Sequence, residues 1–349
     1  MGRNSSFRIL AKEIASMFNT PILLITFNRP THTRCVLERI LEARPQGLYV
    51  FQDGARVGNE NDVQKCTEVR QTIDELWNNY IYSLQEPQEQ NAPTIHRYYS
   101  DVNLGCGPGP AAAISWFFSQ VERGIVMEDD CLAHSDFFGY CEELLTKYQD
   151  DEQVQFINAT LYHNHWHCNA SYGFSHYMVT GAWAAWKRSW QGFDLDLHSL
   201  NARKFRRQVY SLIDNRAEAD WWYYKVLEIQ QDKEKKSYWD YQMQILLFLN
   251  NALTIHPAVN LISNIGFDAA GTHTLSNDGR GDKETFPILP LVHPKNKTVD
   301  LLLDAKCFAK AQPTDWWHDI VSRLYRDMLY SKGLSNWLLM QYKRLKHKK

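Results

Sequence analysis

The chain has 349 residues, enough for one large domain or two unequal ones. It is 44% hydrophobic and 13% aromatic, which marks a globular protein with a substantial core. Its 38 basic residues against 40 acidic ones give a net charge of −2, which argues against a general polyanion binder, because nucleic-acid domains carry a basic excess.

Residues 1–19 read as an N-terminal extension. PILLITF (21–27) is an uninterrupted apolar run and predicts a strand buried on both faces. Pro30 and Thr31 open a helix in which Val36, Leu37, Ile40 and Leu41 recur at helical spacing. GLYVFQDG (47–54) predicts a second strand between glycines, and Val63, Cys66, Val69, Ile73 and Leu76 mark an amphipathic helix over 61–77. A polar insertion, QEPQEQNAP, precedes a third strand, TIHRYYS. Glycine-rich DVNLGCGPGP then leads into the helix AAAISWFFSQV, and the run GIVMEDDCL (124–132) follows. Ser135 is the expected N-cap of the helix DFFGYCEELLTKY. Strands alternating with helices predict an α/β protein with a mostly parallel, Rossmann-like sheet flanked by helices.

The second half is less regular. A Trp-rich segment, TGAWAAWKRSWQGF (180–193), precedes helices around 201–214 and 220–230. After QQDKEKKS, read as a solvated face, come a helix in YWDYQMQILLFLNN and a strand followed by a loop in ALTIHPAVNLISNIGF. The expected division is 20–190, 191–312 and a basic helical tail over 313–349, with 20–312 forming one continuous domain. The seven cysteines are odd in number and include no CxxC, so a reducing compartment is expected rather than a disulfide framework or structural zinc. The N-terminus lacks the apolar run of a signal peptide, and no stretch approaches the roughly 18 apolar residues of a membrane span. A cytoplasmic protein is expected. The tail suits either contact with the inner membrane surface or docking as a terminal helix.

Glu128, Asp129 and Asp130 crowd one strand end, where adjacent carboxylates repel and are costly to desolvate. They read either as a solvated turn or as a half-site for Mg²⁺ or Mn²⁺, which favour oxygen ligands completed by phosphates. Alternation along the strand would put Glu128 and Asp130 on one face and Asp129 on the other. Asp53 and Gly54 end the second strand, as a nucleotide contact or as an ordinary turn. Asn103 and Gly105 in NLGCGPGP would let the backbone approach a nucleotide beside a helix N-terminus, or belong to a plain loop. HNHWHC (163–168) suits a polar acceptor-side loop better than zinc. The twelve Trp and eighteen Tyr serve core packing or offer platforms for sugar rings.

FNRP, FQDG and IVMEDDCLAHSDFFGYCEELL together resemble GT-A-fold glycosyltransferases, the nucleotide-diphospho-sugar transferases, in the pattern of the N-acetylglucosaminyltransferase I family. NLGCGPG, GAWAAWKRSW and NLISNIGFDAAGTHT are similar to segments of a bacterial group of such transferases, so the resemblance spans about residues 20–275. It implies that Arg29 and Asp53 contact the nucleotide base and its surroundings, and that Glu128 and Asp129 contact ribose or order the site. Asp130 would coordinate a Mn²⁺ or Mg²⁺ bridging the diphosphate. Trp183 and His273 would line the donor or acceptor pocket, His273 near the pyrophosphate or metal. Asp240 is the positional match for the general base, or else a helix cap. The family shows two adjacent acids where this chain has Asp240-Tyr241, so Asp220 and Glu218 stand as alternatives. The implied function is transfer of a sugar, with inversion, from a nucleoside-diphosphate donor such as a UDP-sugar to a glycan or lipid-linked acceptor hydroxyl. A catalytically silent glycan-binding homologue is the competing expectation. A sugar nucleotidyltransferase is another, but the glycine-rich signature and lysine it needs do not follow ILLITF.

Overall fold

A computed structural model describes residues 17–84, 92–161, 166, 169–231, 238–266 and 283–311. The first part of the chain runs β1 (Ile22–Thr26), α1 (Pro30–Glu42), β2 (Gly47–Gln52), α2 (Glu60–Ser83), β3 (Thr94–Tyr99), α3 (Pro108–Gln120) and β4 (Arg123–Glu128). It continues through β5 (Cys131–Ala133), α4 (Asp136–Lys147), β6 (Val154–Asn158), β7 (Tyr172–Ser175), β8 (Ala182–Trp186) and α5 (Lys187–Trp190). The remainder is α6 (Ala202–Leu212), α7 (Arg216–Gln231), α8 (Asp240–Leu249), β9 (Leu253–Pro257), β10 (Ile262–Asn264) and α9 (Leu301–Ala311).

Local chemistry sets the helix starts. Pro30 and Pro108 stand in the first turns of α1 and α3, where a missing N–H costs nothing. Asn59 caps α2 by accepting from the Asp62 N–H at 3.1 Å. Ser135 precedes α4 as expected, yet its hydroxyl makes no cap. Its backbone is already helical, and a capping side chain needs an extended one. The Asp136 N–H donates instead to His134 Nδ1 at 3.1 Å.

Eight strands form one sheet in the order β3-β2-β1-β4-β8-β6-β9-β7, and β10 pairs with β5 in a small second sheet. The pairs from β3 to β4 are parallel, and so is β6 with β9. β8 and β7 run antiparallel to their neighbours. The molecule is thus mixed α/β with a mostly parallel, Rossmann-like sheet. Strand alternation divides its core. Ile22, Leu24, Ile125 and Met127 pack with α1, α2 and α4, whereas Leu23, Ile25 and Val126 pack with α3 and α8. Burial on both faces is why β1 reads as a continuous apolar run. A third cluster joins α6, α7, α8 and α9.

The Trp-rich segment is not a surface platform. It forms β8, paired antiparallel between β4 and β6, and leaves Trp183, Trp186 and Trp190 in the core. β9 lies between β6 and β7, so residues on both sides of position 190 contribute to one sheet. Among the described residues no helix is long and apolar enough to cross a membrane. His273, the three histidines of HNHWHC, the DKEKK run and the basic tail lie outside the described residues.

Candidate functional site

β1, β2 and β4 are parallel neighbours, so their carboxyl ends lie side by side. Ligands of such sheets bind beyond those ends. The pleat that turns Val126 towards α3 and Met127 towards the side of α1, α2 and α4 turns Glu128 to the α3 side. β4 stops at Glu128. Alternation therefore ends there, and Asp130 does not simply share the face of Glu128. One guanidinium holds both aspartates instead. Arg29, at the residue before α1, donates from Nη1 to Asp130 Oδ2 at 2.9 Å and from Nη2 to Asp129 Oδ1.

The acids remain under-compensated. Asp129 is 2% exposed, and its Oδ2 is buried with no hydrogen-bond partner among the described residues. Burial pushes Glu128 up to about 8, with Asp130 adding to the shift, Arg29 opposing it and Asp240 contributing. Burial also raises Asp129, against the pull of Arg29. For Arg29, burial disfavours the charge, but Asp129 and Asp130 outweigh that and raise its pKa. The segment after β10 covers this cluster. The Ile265 N–H donates to the Asp130 carbonyl at 2.8 Å, and a side chain at Gly266 would collide with Asp130 Oδ2.

Asp53, expected to touch the nucleotide, is saturated within the protein. Its Oδ1 accepts from the Gly54 N–H at 2.9 Å and the Leu104 N–H at 2.8 Å. Its Oδ2 accepts from the Gly105 N–H at 2.9 Å and Asn103 Nδ2 at 3.1 Å. Four donors fill the four lone-pair positions of a carboxylate. Burial raises the Asp53 pKa, and the backbone N–H groups pull it back. Asn103 also donates to the Gly54 carbonyl at 2.8 Å, so Asp53, Gly54, Asn103 and Gly105 form one clamp that fixes the loop before α3. The loop in turn abuts the backbone of Tyr238 at Gly107, where an added Cβ would lie 2.9 Å from the Tyr238 carbonyl.

Asp240 is the first residue of α8 and accepts the Tyr241 N–H at 3.0 Å. Burial raises its pKa, while the N–H groups and Lys225 oppose the rise. Asp240 is also the smallest of the charges that raise the Glu128 pKa. Lys225 was not legible as a neighbour from the sequence. Its Nζ lies 5.1 Å from the Trp221 ring centroid, 5.9 Å from that of Tyr238 and 4.8 Å from that of Tyr241. Only the packing of α7 on α8 places it there.

Two other candidates are elsewhere. Glu218 is 5% exposed and accepts from the Tyr177 hydroxyl inside the third cluster, while Asp220 pairs with Arg206 at 2.9 Å and accepts from Tyr210. Trp183 is 1% exposed and stacks on Phe156 at 4.6 Å, so it is core and does not line a pocket. A cavity of about 500 Å³ lies between α4 and Leu289–His293, and none of its lining residues belongs to the strand tips.

The three acids at the tip offer carboxylate oxygens, which suit Mg²⁺ or Mn²⁺, and the Cys131 thiol beside Asp130 is held protonated by burial. The orphaned Asp129 oxygen and the excess of acids over cations fit a further positive charge. Among the described residues no group of three or more His, Cys, Asp or Glu is arranged to hold a metal by itself.

No family model matches the chain, and no curated protein matches it. Solved structures do, 44 chains in all. One is the UTP-bound UGPase from Acinetobacter baumannii, similar over 70% of this chain and 88% of that chain, with 8% identity and a TM-score of 0.34.

Proposed function

We propose that the protein is a metal-dependent glycosyltransferase that takes its sugar from a nucleoside diphosphate. One observation carries the reading. Glu128, Asp129 and Asp130 crowd the end of the buried strand β4, and a single guanidinium bridges the two aspartates. Asp130 would hold a divalent ion there, which when bound would supply positive charge and Lewis-acid stabilisation of the leaving nucleoside diphosphate.

Within that reading, Asp130 would hold the ion, Asp129 would keep Arg29 beside it, and Glu128 would border the ribose and diphosphate. The clamp of Asp53 and Asn103 holds the loop before α3, which would border the nucleotide. Asp240, ionised, accepts the proton of the acceptor hydroxyl. The acceptor oxygen then bonds to the anomeric carbon as the bond to the diphosphate oxygen breaks, with inversion. Closure by the Ile265–Gly266 segment limits water at the reacting centre. The acceptor is proposed to be a hydroxyl of a glycan or lipid-linked precursor.

The test is nucleoside-diphosphate release across a panel of nucleotide sugars with Mn²⁺ and mixed acceptors. Asp130→Asn is expected to lose Mn²⁺-dependent donor binding and turnover together. Unchanged donor affinity in that variant would sink the metal assignment, and glycan binding without any donor effect would favour a silent binding module.

A further inference from the structure

We propose that Arg29 is a resident counter-cation which a divalent ion must displace from Asp130, so that metal and nucleoside diphosphate bind as a coupled pair. This rests on the reading of Asp130 as the metal ligand. Three observations carry it. The guanidinium occupies Asp130 Oδ2 at 2.9 Å while its other nitrogen takes Asp129 Oδ1, so a single fork bridges both carboxylates. The remaining oxygen, Asp130 Oδ1, accepts from the Cys131 thiol at 3.5 Å, a weak donor and its one hydrogen-bond partner among the described residues. The backbone at Gly266 lies close over both partners, since an added Cβ would collide with Asp130 Oδ2 and fall 3.0 Å from Arg29 Nη1, so the pair is covered on that side.

The energetic consequence is specific. An ion arriving alone would meet a fixed positive charge and would have to break a hydrogen-bonded ion pair, stranding a partly buried guanidinium. An ion arriving with a diphosphate does not, because the released fork matches phosphate oxygens bidentately. Arg29 would therefore weaken the ion alone and strengthen the ion–diphosphate pair. By linkage the diphosphate must strengthen metal binding by the same factor. A residue that merely ordered the metal site would do the opposite on removal.

Mn²⁺ binding is titrated calorimetrically at pH 8, with and without UDP, for the wild type, Arg29→Met and Arg29→Lys. Arg29→Met is expected to bind Mn²⁺ alone about tenfold tighter than the wild type and to lose most of the strengthening that UDP gives, a coupling of ordinary size. Arg29→Lys, whose single ammonium cannot bridge both carboxylates, should move in the same direction by less. It supplies the answer if Arg29→Met does not fold. Equal or weaker Mn²⁺ binding by a folded Arg29 variant overturns the exchange while leaving the metal reading intact. Absence of Mn²⁺ binding in the wild type and both variants, with or without UDP, overturns the metal reading and the exchange with it.

Discussion

Glu218 lies in the first turn of α7 and faces the core, 5% exposed, its carboxyl accepting from the Tyr177 hydroxyl, and burial pushes its pKa up to about 7. A raised carboxyl pKa means that the native state holds a proton which the unfolded chain releases. The associated stability is fully present below about pH 4.5, falls as pH rises, and is lost above about 7. Glu218→Gln keeps the acceptor for Tyr177 without the charge. It should match the wild type near pH 4.5 and exceed it at pH 8 by on the order of 2–3 kcal/mol in urea denaturation. Equal stability at both pH values would show that this carboxyl is ionised without cost. Trp183 poses a different question at the same scale. As core stacked on Phe156, its replacement by alanine should cost about 3–5 kcal/mol. Were it a ligand contact, the variant would stay stable and lose donor binding instead.

Among the elements, the tip of β2 and the loop before α3 behave as one unit. Gly54 lies so close to Val102 that an added Cβ would sit 2.5 Å from its carbonyl carbon, and the Asp53 clamp depends on that approach. Gly54→Ala should therefore lose about 1–3 kcal/mol of stability and weaken UDP binding, as read by denaturation and titration. A variant with wild-type UDP affinity would mean that the loop does not position the nucleotide. The tip of β4 depends equally on its partners. Arg29 comes from the start of α1, the cover from the segment after β10, and Asp240 from the start of α8. α8 brings Asp240 in because its apolar face, with Met243, Leu246 and Leu247, packs on the same side of the sheet as α3.

For the whole molecule, the sheet is the frame that joins the two halves. β9 enters between β6 and β7, and its partner β6 pairs with β8, which pairs with β4. A ligand bound at the strand tips should therefore stabilise the cooperative fold, since a ligand that binds only the native state shifts unfolding by mass action. The matching nucleotide sugar with Mn²⁺, at one hundred times its Kd, should add about 2.7 kcal/mol and raise the Tm, and chelator should cancel the gain. No Tm rise across a broad panel would count against a nucleotide-sugar donor.

The first half was readable in the sequence because its signals are local: a both-face buried strand such as ILLIT, a proline at a helix start, a glycine at a strand end. The candidate acids were readable too, as a rare crowding of charge after an apolar run. What sequence left open is what those residues touch. Trp183, expected to line a pocket, lies in the core on the central strand β8; Asp53, expected to contact the nucleotide, has its oxygens occupied by the loop from residue 103. Arg29 and Asp130 are 101 positions apart, and Glu128 and Asp240 lie further apart still. The sequence by itself determined the α/β class and the acidic strand tip, since both follow from short-range patterning. Only the tertiary structure decided which carboxylates are spent on the scaffold and which stay under-compensated, because compensation is set by partners that the fold brings together from distant segments.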